Sequence, residues 1–167
     1  MKRFAQNTSV SVGKSRGEID SLLRQWGCKG VQWTDEFEAG LVTLRFRWEH
    51  EGCAYMARFS VNLPTDEELS KSAVDGRTTR TTWSDPKVSD RKLEKLRETR
   101  GQQEHRLLLL WLKAAFNAVD AHIVTAEEIF LPFLEGKDGR TVAEVAIPKM
   151  ADLLSGNANR LLTTGKS

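Results

Sequence analysis

The sequence predicts an α+β domain, a small antiparallel sheet carrying one helix in the order β-α-β-β-β, followed by a helical C-terminal half. Three patterns carry this expectation. Residues 41–63 alternate apolar and polar with period two, as half-buried strands do. Ile19, Leu22, Leu23 and Trp26 recur at i, i+3, i+4 and i+7, one stripe of a helix. Leu107 to Val119 is apolar nearly all round, which means a helix buried on several sides.

Taken in order, "NTSVSV" (Asn7 to Val12) has the β-branched alternation of a short first strand. Ser15 followed by Glu18 has the spacing of a capping box, so the first helix is expected to open there and to stop at Gly27. In "GVQWTDEFEAG" Val31, Trp33 and Phe37 share one parity and predict a strand ending near Gly40. The next strand puts Val42, Leu44, Phe46 and Trp48 on one face, and Thr43, Arg45, Arg47 and Glu49 on the other. "EHEG" turns the chain, with Gly52 placed for positive φ. Tyr55, Ala57, Phe59, Val61 and Leu63 then face inward, and Pro64 ends the run. This register predicts that Leu22, Leu23 and Trp26 pack on the sheet face of Val42, Leu44, Phe46, Tyr55, Phe59 and Val61.

Residues 1–63 are thus expected to form the β-α-β-β-β module, and 64–89 a polar linker with room for one short capped helix in "TDEELSKSA". Residues 90–156 read as a helical region packed on the module or on a neighbouring subunit, and 157–167 as a flexible tail. The stretch from Asp90 to His122 reads as one long helix, with Gly101 as the expected place for a break or kink. Thr125 with Glu128, and Thr141 with Glu144, are two further capping boxes. "EGKDGR" between them is a turn, and the last helix is expected to be interrupted near Pro148.

The 167 residues are 40% hydrophobic and 29% charged, the balance of a soluble globular chain. A net charge of +2 sets up no global field, so any basic surface must be local. Cys28 and Cys53 show no metal-ligand spacing and read as free, partly buried thiols, with a disulfide between them as the alternative. "MKRFAQNTSV" has basic residues but no apolar core, so no signal peptide is expected there. The longest apolar run, Leu107 to Leu112, is too short to cross a bilayer. The expected location is therefore the cytoplasm of a host cell, with a virion as the alternative.

Four segments carry a resemblance: "TSVSVGKSRGEIDSLLRQWGCKGVQW", "RFSVNLP", "RLLLLWLKAAFNAVDAHIVTAEEIFLPFL" and "DGRTVAEV". In this order they resemble a family of uncharacterised proteins carried by phages and prophages. The resemblance spans most of the chain apart from the 64–89 linker and the tail. It implies a mobile-element origin and brings no site residues with it.

Arg45, Arg47 and Arg58 sit on the wet face of adjacent strands, close enough to form one patch that would attract a phosphate backbone. The plainer reading pairs them with Glu36 or Glu49 as surface charges. From Gly76 to Arg106 the chain carries nine Lys or Arg against five Asp or Glu. "RTTRTTW" contributes Arg77, Arg80 and Trp83, cations with an interleaved ring, as single-stranded nucleic acid requires. The first expectation is thus a non-enzymatic, phage-type nucleic-acid-binding protein, single-strand binding or a recombination or regulatory accessory. It is expected to form a homo-oligomer, because its apolar helix outruns the sheet that could cover it. The alternative is an interaction protein docking on a phage or host protein, as a virion component or an inhibitor. A metal-dependent nuclease comes third, through Asp120, His122, Glu127 and Glu128 at one helix junction, each of which also has a plain capping or helix-end role. No GxGxxG, P-loop or GxSxG motif occurs, and no catalytic residue, resident metal or cofactor is expected.

Overall fold

The computed structural model of the chain describes residues 8–65, 67–69 and 90–154, with side chains as far as Met150. Helix α1 (Val12–Gln25) is followed by strands β1 (Gly30–Glu36), β2 (Leu41–His50) and β3 (Cys53–Asn62). Then come α2 (Asp90–Asp120), the short α3 (Ala126–Phe130), a 3-10 turn (Leu131–Phe133) and α4 (Val142–Leu154). The fold is α+β, with a helical C-terminal half. Among the described residues no helix is long and apolar enough to cross a membrane.

The expected first strand is not there: Thr8 to Ser11 forms no strand, and the order is α-β-β-β. The helix starts one turn earlier than the Ser15–Glu18 spacing suggests. Ser11 is its N-cap, accepting from the Lys14 amide at 3.2 Å. Ser15 lies inside the helix and is fully buried. Glu18 turns outward to Arg106 Nη1 at 3.0 Å and Lys113 Nζ at 3.6 Å. Ser11 and Ser15 both stand near this helix start, and the buried face, which sequence periodicity reads only from Ile19 onward, decides which one caps.

The three strands form an antiparallel meander in the order β1-β2-β3. Leu44 pairs with Phe59 and Trp48 with Tyr55, so the inward parity is the expected one. Glu51 (φ 50°) and Gly52 (φ 77°) form the two-residue loop between His50 and Cys53, where the strand twist requires positive φ at both positions. At the other hairpin, Gly40 (φ 61°) lies under the Leu63 carbonyl, and an added Cβ would sit 2.9 Å from that oxygen. Phe37 does not join the sheet face. β1 ends at Glu36, and the Phe37 ring stands 92% exposed in the turn.

α1 and α2 lie side by side over the inward face. Ile19 and Leu23 of α1 join Leu44, Phe46, Trp48 and Phe59 of the sheet and Leu109, Leu112 and Phe116 of α2 in one core. Leu22 and Trp26 pack at its margin, as do Tyr55 and Val61. Arg45 and Arg47 are on the opposite parity, as the register requires. The apolar α2 segment is only partly enclosed: Leu110 and Trp111 remain exposed while Leu109 and Leu112 are fully buried.

α2 is continuous through Gly101, the place expected for a break or kink, and does not break there. That position is buried against α1, and an added Cβ would meet the Val12 side chain at 3.5 Å. This is ordinary van der Waals contact, while glycine costs about 1 kcal/mol relative to alanine in a helix interior. Gly101→Ala is therefore expected to stabilise the chain by about 0.5–1 kcal/mol in urea unfolding. A loss of stability would show that Val12 cannot accommodate the methyl group. α4 likewise runs through Pro148 without the expected interruption.

Candidate functional site

The opposite face of the sheet holds the arginines. Arg45 and Arg58 are direct cross-strand partners, an arrangement in which like charges repel. The C-terminal segment resolves this repulsion. Leu134 bridges to Ala57, and the Glu135 amide donates to the Met56 carbonyl at 2.8 Å, so the chain returns along the free edge of β3. A tight turn follows, in which the Gly136 amide donates to the Arg140 carbonyl at 2.8 Å. This return delivers Glu135 to Arg45 Nε at 3.0 Å and Glu144 to Arg58 Nη2. Glu144 also closes the expected capping box, accepting from the Thr141 amide at 2.9 Å. That amide, and then Arg58, hold its carboxyl below the usual range. Arg47 reaches Glu49 at 3.7 Å with both side chains about half exposed, so this pair contributes little. All three sheet arginines thus face carboxylates of the same chain. Of the other proposed nucleic-acid contacts, Arg77, Arg80 and Trp83 lie outside the described residues.

A second polar cluster joins α1, β1 and α2. Arg16 grips Asp35 with both terminal nitrogens and donates through Nε to His105 Nε2 at 3.1 Å. His105 Nδ1 lies 2.7 Å from the Gly101 carbonyl. A carbonyl only accepts, so Nδ1 carries the proton and the ring is neutral. Arg16 lies 4.7 Å above the Trp33 ring, whose Nε1 donates to Asp20 at 3.0 Å. Burial lowers the His105 pKa, and the hydrogen bond from Arg16 lowers that of Asp35. This cluster is closed on itself and reads as architecture.

A cleft of about 630 Å³ opens where the β2–β3 hairpin meets the α2–α3 junction. Trp26 and Trp48 form its aromatic wall, and Ile123 and Val124 add apolar surface. The junction is a Schellman close: the Ile123 amide donates to the Ala118 carbonyl at 3.0 Å and the His122 amide to that of Val119 at 2.9 Å. His122 takes the left-handed conformation there (φ 55°) and stands at the cleft. Four carboxylates line the cleft, those of Glu49, Asp120, Glu127 and Glu128, and among the described residues no Lys or Arg does. Glu128 is committed to its capping box, with the Thr125 amide as the main cause of its lowered pKa. Glu127 Oε1 sits 2.7 Å from His50 Nδ1. Trp48 is almost fully buried, and its indole N–H finds no acceptor among the described residues.

The junction residues singled out for metal, Asp120, His122, Glu127 and Glu128, do all line this cleft. Among the described residues, however, no group of three or more His, Cys, Asp or Glu side chains is arranged to hold a metal ion. The two tryptophans of the cleft are also members of apolar stripes, which is how periodicity explains them. His50, part of the "EHEG" turn in the sequence, stands at the end of β2 and reaches the cleft beside Glu127. Cys28 and Cys53 are both free. Burial pushes the Cys28 thiol up to about 12. Cys53 is exposed rather than partly buried, because it sits at the hairpin end beyond the covered part of the sheet. Comparison with protein-family models, curated proteins and solved structures finds no match to this chain.

Proposed function

We propose that the chain is a protein-interaction module whose recognition surface includes the Trp26–Trp48 cleft. The observation that carries this reading is the distribution of charge. The sheet arginines meant for phosphate spend their charge on Glu135, Glu144 and Glu49. The cleft is apolar and lined by carboxylates, and such a surface repels a phosphate backbone. Self-association belongs to the same proposal: Leu110, Trp111, Leu131, Ile147 and Met150 stay exposed along α2, the 3-10 turn and α4. The resemblance to phage-carried proteins suits an accessory that docks on a phage or host protein.

Nucleic-acid binding is the second reading, favoured by the exposed Arg91, Lys92 and Lys95 at the start of α2, next in sequence to the segment with Arg77, Arg80 and Trp83. A fluorescence anisotropy titration with a labelled single strand at two salt concentrations separates the two. The interaction module is expected to show no affinity at the lower salt. Binding that weakens steeply with salt, and weakens again in Trp83→Ala by about 1–3 kcal/mol, would replace it with the second reading.

A further inference from the structure

The sheet has two edge strands, and the described residues cover only β3. There the chain returns, with Leu134 bridged to Ala57 and the Glu135 amide bonded to the Met56 carbonyl. β1, the other edge strand, pairs with β2 alone. The Leu63 amide donates to the Gly40 carbonyl, so the even-numbered residues of β2 bond to β3 and the odd-numbered ones to β1. The register then turns the backbone groups of Gln32 and Thr34 toward Arg45 and Thr43, and those of Val31, Trp33 and Asp35 outward. Among the described residues, no backbone hydrogen bond beyond the β1–β2 ladder reaches these three. Such a row of unpaired N–H and C=O groups is a template for another strand. At its N-terminal end the edge stops at a bulge: the Lys29 amide donates to the Arg47 carbonyl, while Gly30 is the register partner of Arg47. Lys29 at this end and Glu36 at the other are exposed, and neither has an ion-pair partner among the described residues.

A strand with a cation at one end and a carboxylate at the other is complementary to its own reverse. We propose that β1 pairs edge to edge, antiparallel, with β1 of a second copy of this chain, with Trp33 on the twofold axis. This deepens the self-association in the interaction-module reading and does not use the cleft. Trp33 is the middle one of the three residues whose backbone groups face outward, so this register engages all of them: Val31 lies opposite the partner's Asp35, and the reverse. On the outer face Gln32 meets the partner's Thr34, and Gly30 meets the partner's Glu36. Lys29, beside Gly30 in the bulge, comes next to that carboxylate, and the twofold repeats the pair at the other end. The Asp35 side chain is taken by Arg16, so Glu36 supplies the charge. The symmetric contact consumes the uncovered edge of both copies, so assembly closes at a dimer.

The test is sedimentation velocity of the full chain over a range of protein concentrations at low and at high salt. The parent is expected to dimerise, and less so at high salt. Lys29→Glu and Glu36→Lys change exposed side chains away from the core. Each is expected to weaken the dimer about five- to thirtyfold, because both ends turn from attraction to repulsion. An equal mixture of the two variants is expected to dimerise as the parent does, since each end then meets its opposite. Hydrogen exchange at the Val31, Trp33 and Asp35 amides is expected to slow as the concentration rises through the dimer range. A dimer indifferent to both reversals, or a mixture no better than either variant alone, would overturn the edge pairing and leave the exposed apolar residues of α2 and α4 as the contact. A monomer at every concentration would overturn the self-association and leave the cleft standing. Salt-sensitive binding of a single strand, the result that overturns the interaction module, would not touch a dimer that obeys the charge reversals.

Discussion

Phe130→Ala is expected to cost about 3–5 kcal/mol, the range for emptying a large aromatic site in a core that cannot fully collapse. Phe130 has no exposed surface. Six other aromatic rings lie around it, with centroids between 5.4 Å for Phe116 and 6.3 Å for Phe59. They come from α1 (Trp26), β2 (Phe46 and Trp48), β3 (Phe59) and α2 (Trp111 and Phe116). One side chain on a five-residue helix therefore joins both halves of the chain. A domain of this size has about 5–15 kcal/mol of stability in all. The variant should thus lose a large part of it, with a marked fall in the urea midpoint. Phe37→Ala, whose ring stands 92% exposed, provides the contrast and should stay within about 0.5 kcal/mol of the parent. A Phe130→Ala chain as stable as Phe37→Ala would mean that the helical half does not seat on the sheet through this ring.

Phe130 also marks the limit of what the sequence makes legible. Alternation in residues 41–63 reports which side chains share a face, and it gave the inward set from Val42 to Val61 correctly. The i, i+3, i+4, i+7 stripe of α1 was equally plain, and so were the capping boxes at Thr125 and Thr141. All of these are local patterns. Phe130 sits in a run, "EEIFLPFL", too short for periodicity to distinguish a central ring from a peripheral one. The Arg45–Glu135 and Arg58–Glu144 pairs span about ninety residues, and no local spacing signals them. Strand parity put the arginines on the outer face but could not say that the C-terminal segment would return over the β3 edge. Gly101 was read by its intrinsic helix cost, and close packing of α1 on α2 overrode that cost. The cleft is legible only after folding, because its two tryptophans, its hairpin carboxylate and its helix-junction carboxylates come from three separate stretches of the chain.

Acid should destabilise the chain in two stages, and the first should vanish in His105→Phe. His105 is neutral in the fold, with Nδ1 donating to the Gly101 carbonyl and Nε2 accepting from Arg16. The groups facing it are Arg16 from α1, Asp35 from β1 and Glu104 on its own helix, with the Trp33 ring 5.7 Å away. Burial, then the Arg16 charge, lowers its pKa, and the Gly101 carbonyl and the two carboxylates only partly oppose them. The unfolded chain titrates this histidine near the ordinary value of about 6.5. Below that pH the unfolded state binds a proton that the folded state refuses, so stability falls as pH drops toward the lower folded value. Protonation would also turn Nε2 into a second donor pointed at the Arg16 Nε–H. The second stage lies lower, where Asp35, stabilised chiefly by Arg16, and Glu18, stabilised by Arg106 and Lys113 against its burial, take up protons. Phenylalanine keeps a ring beside Trp33 and cannot titrate. At neutral pH the variant should lose about 1–3 kcal/mol, because Arg16 Nε is left without its acceptor. Between pH 6.5 and the carboxylate range its stability should then be flat where that of the parent slopes. Urea midpoints measured at half-unit pH steps on both chains give the difference directly, and parallel curves would mean that folding does not lower the His105 pKa.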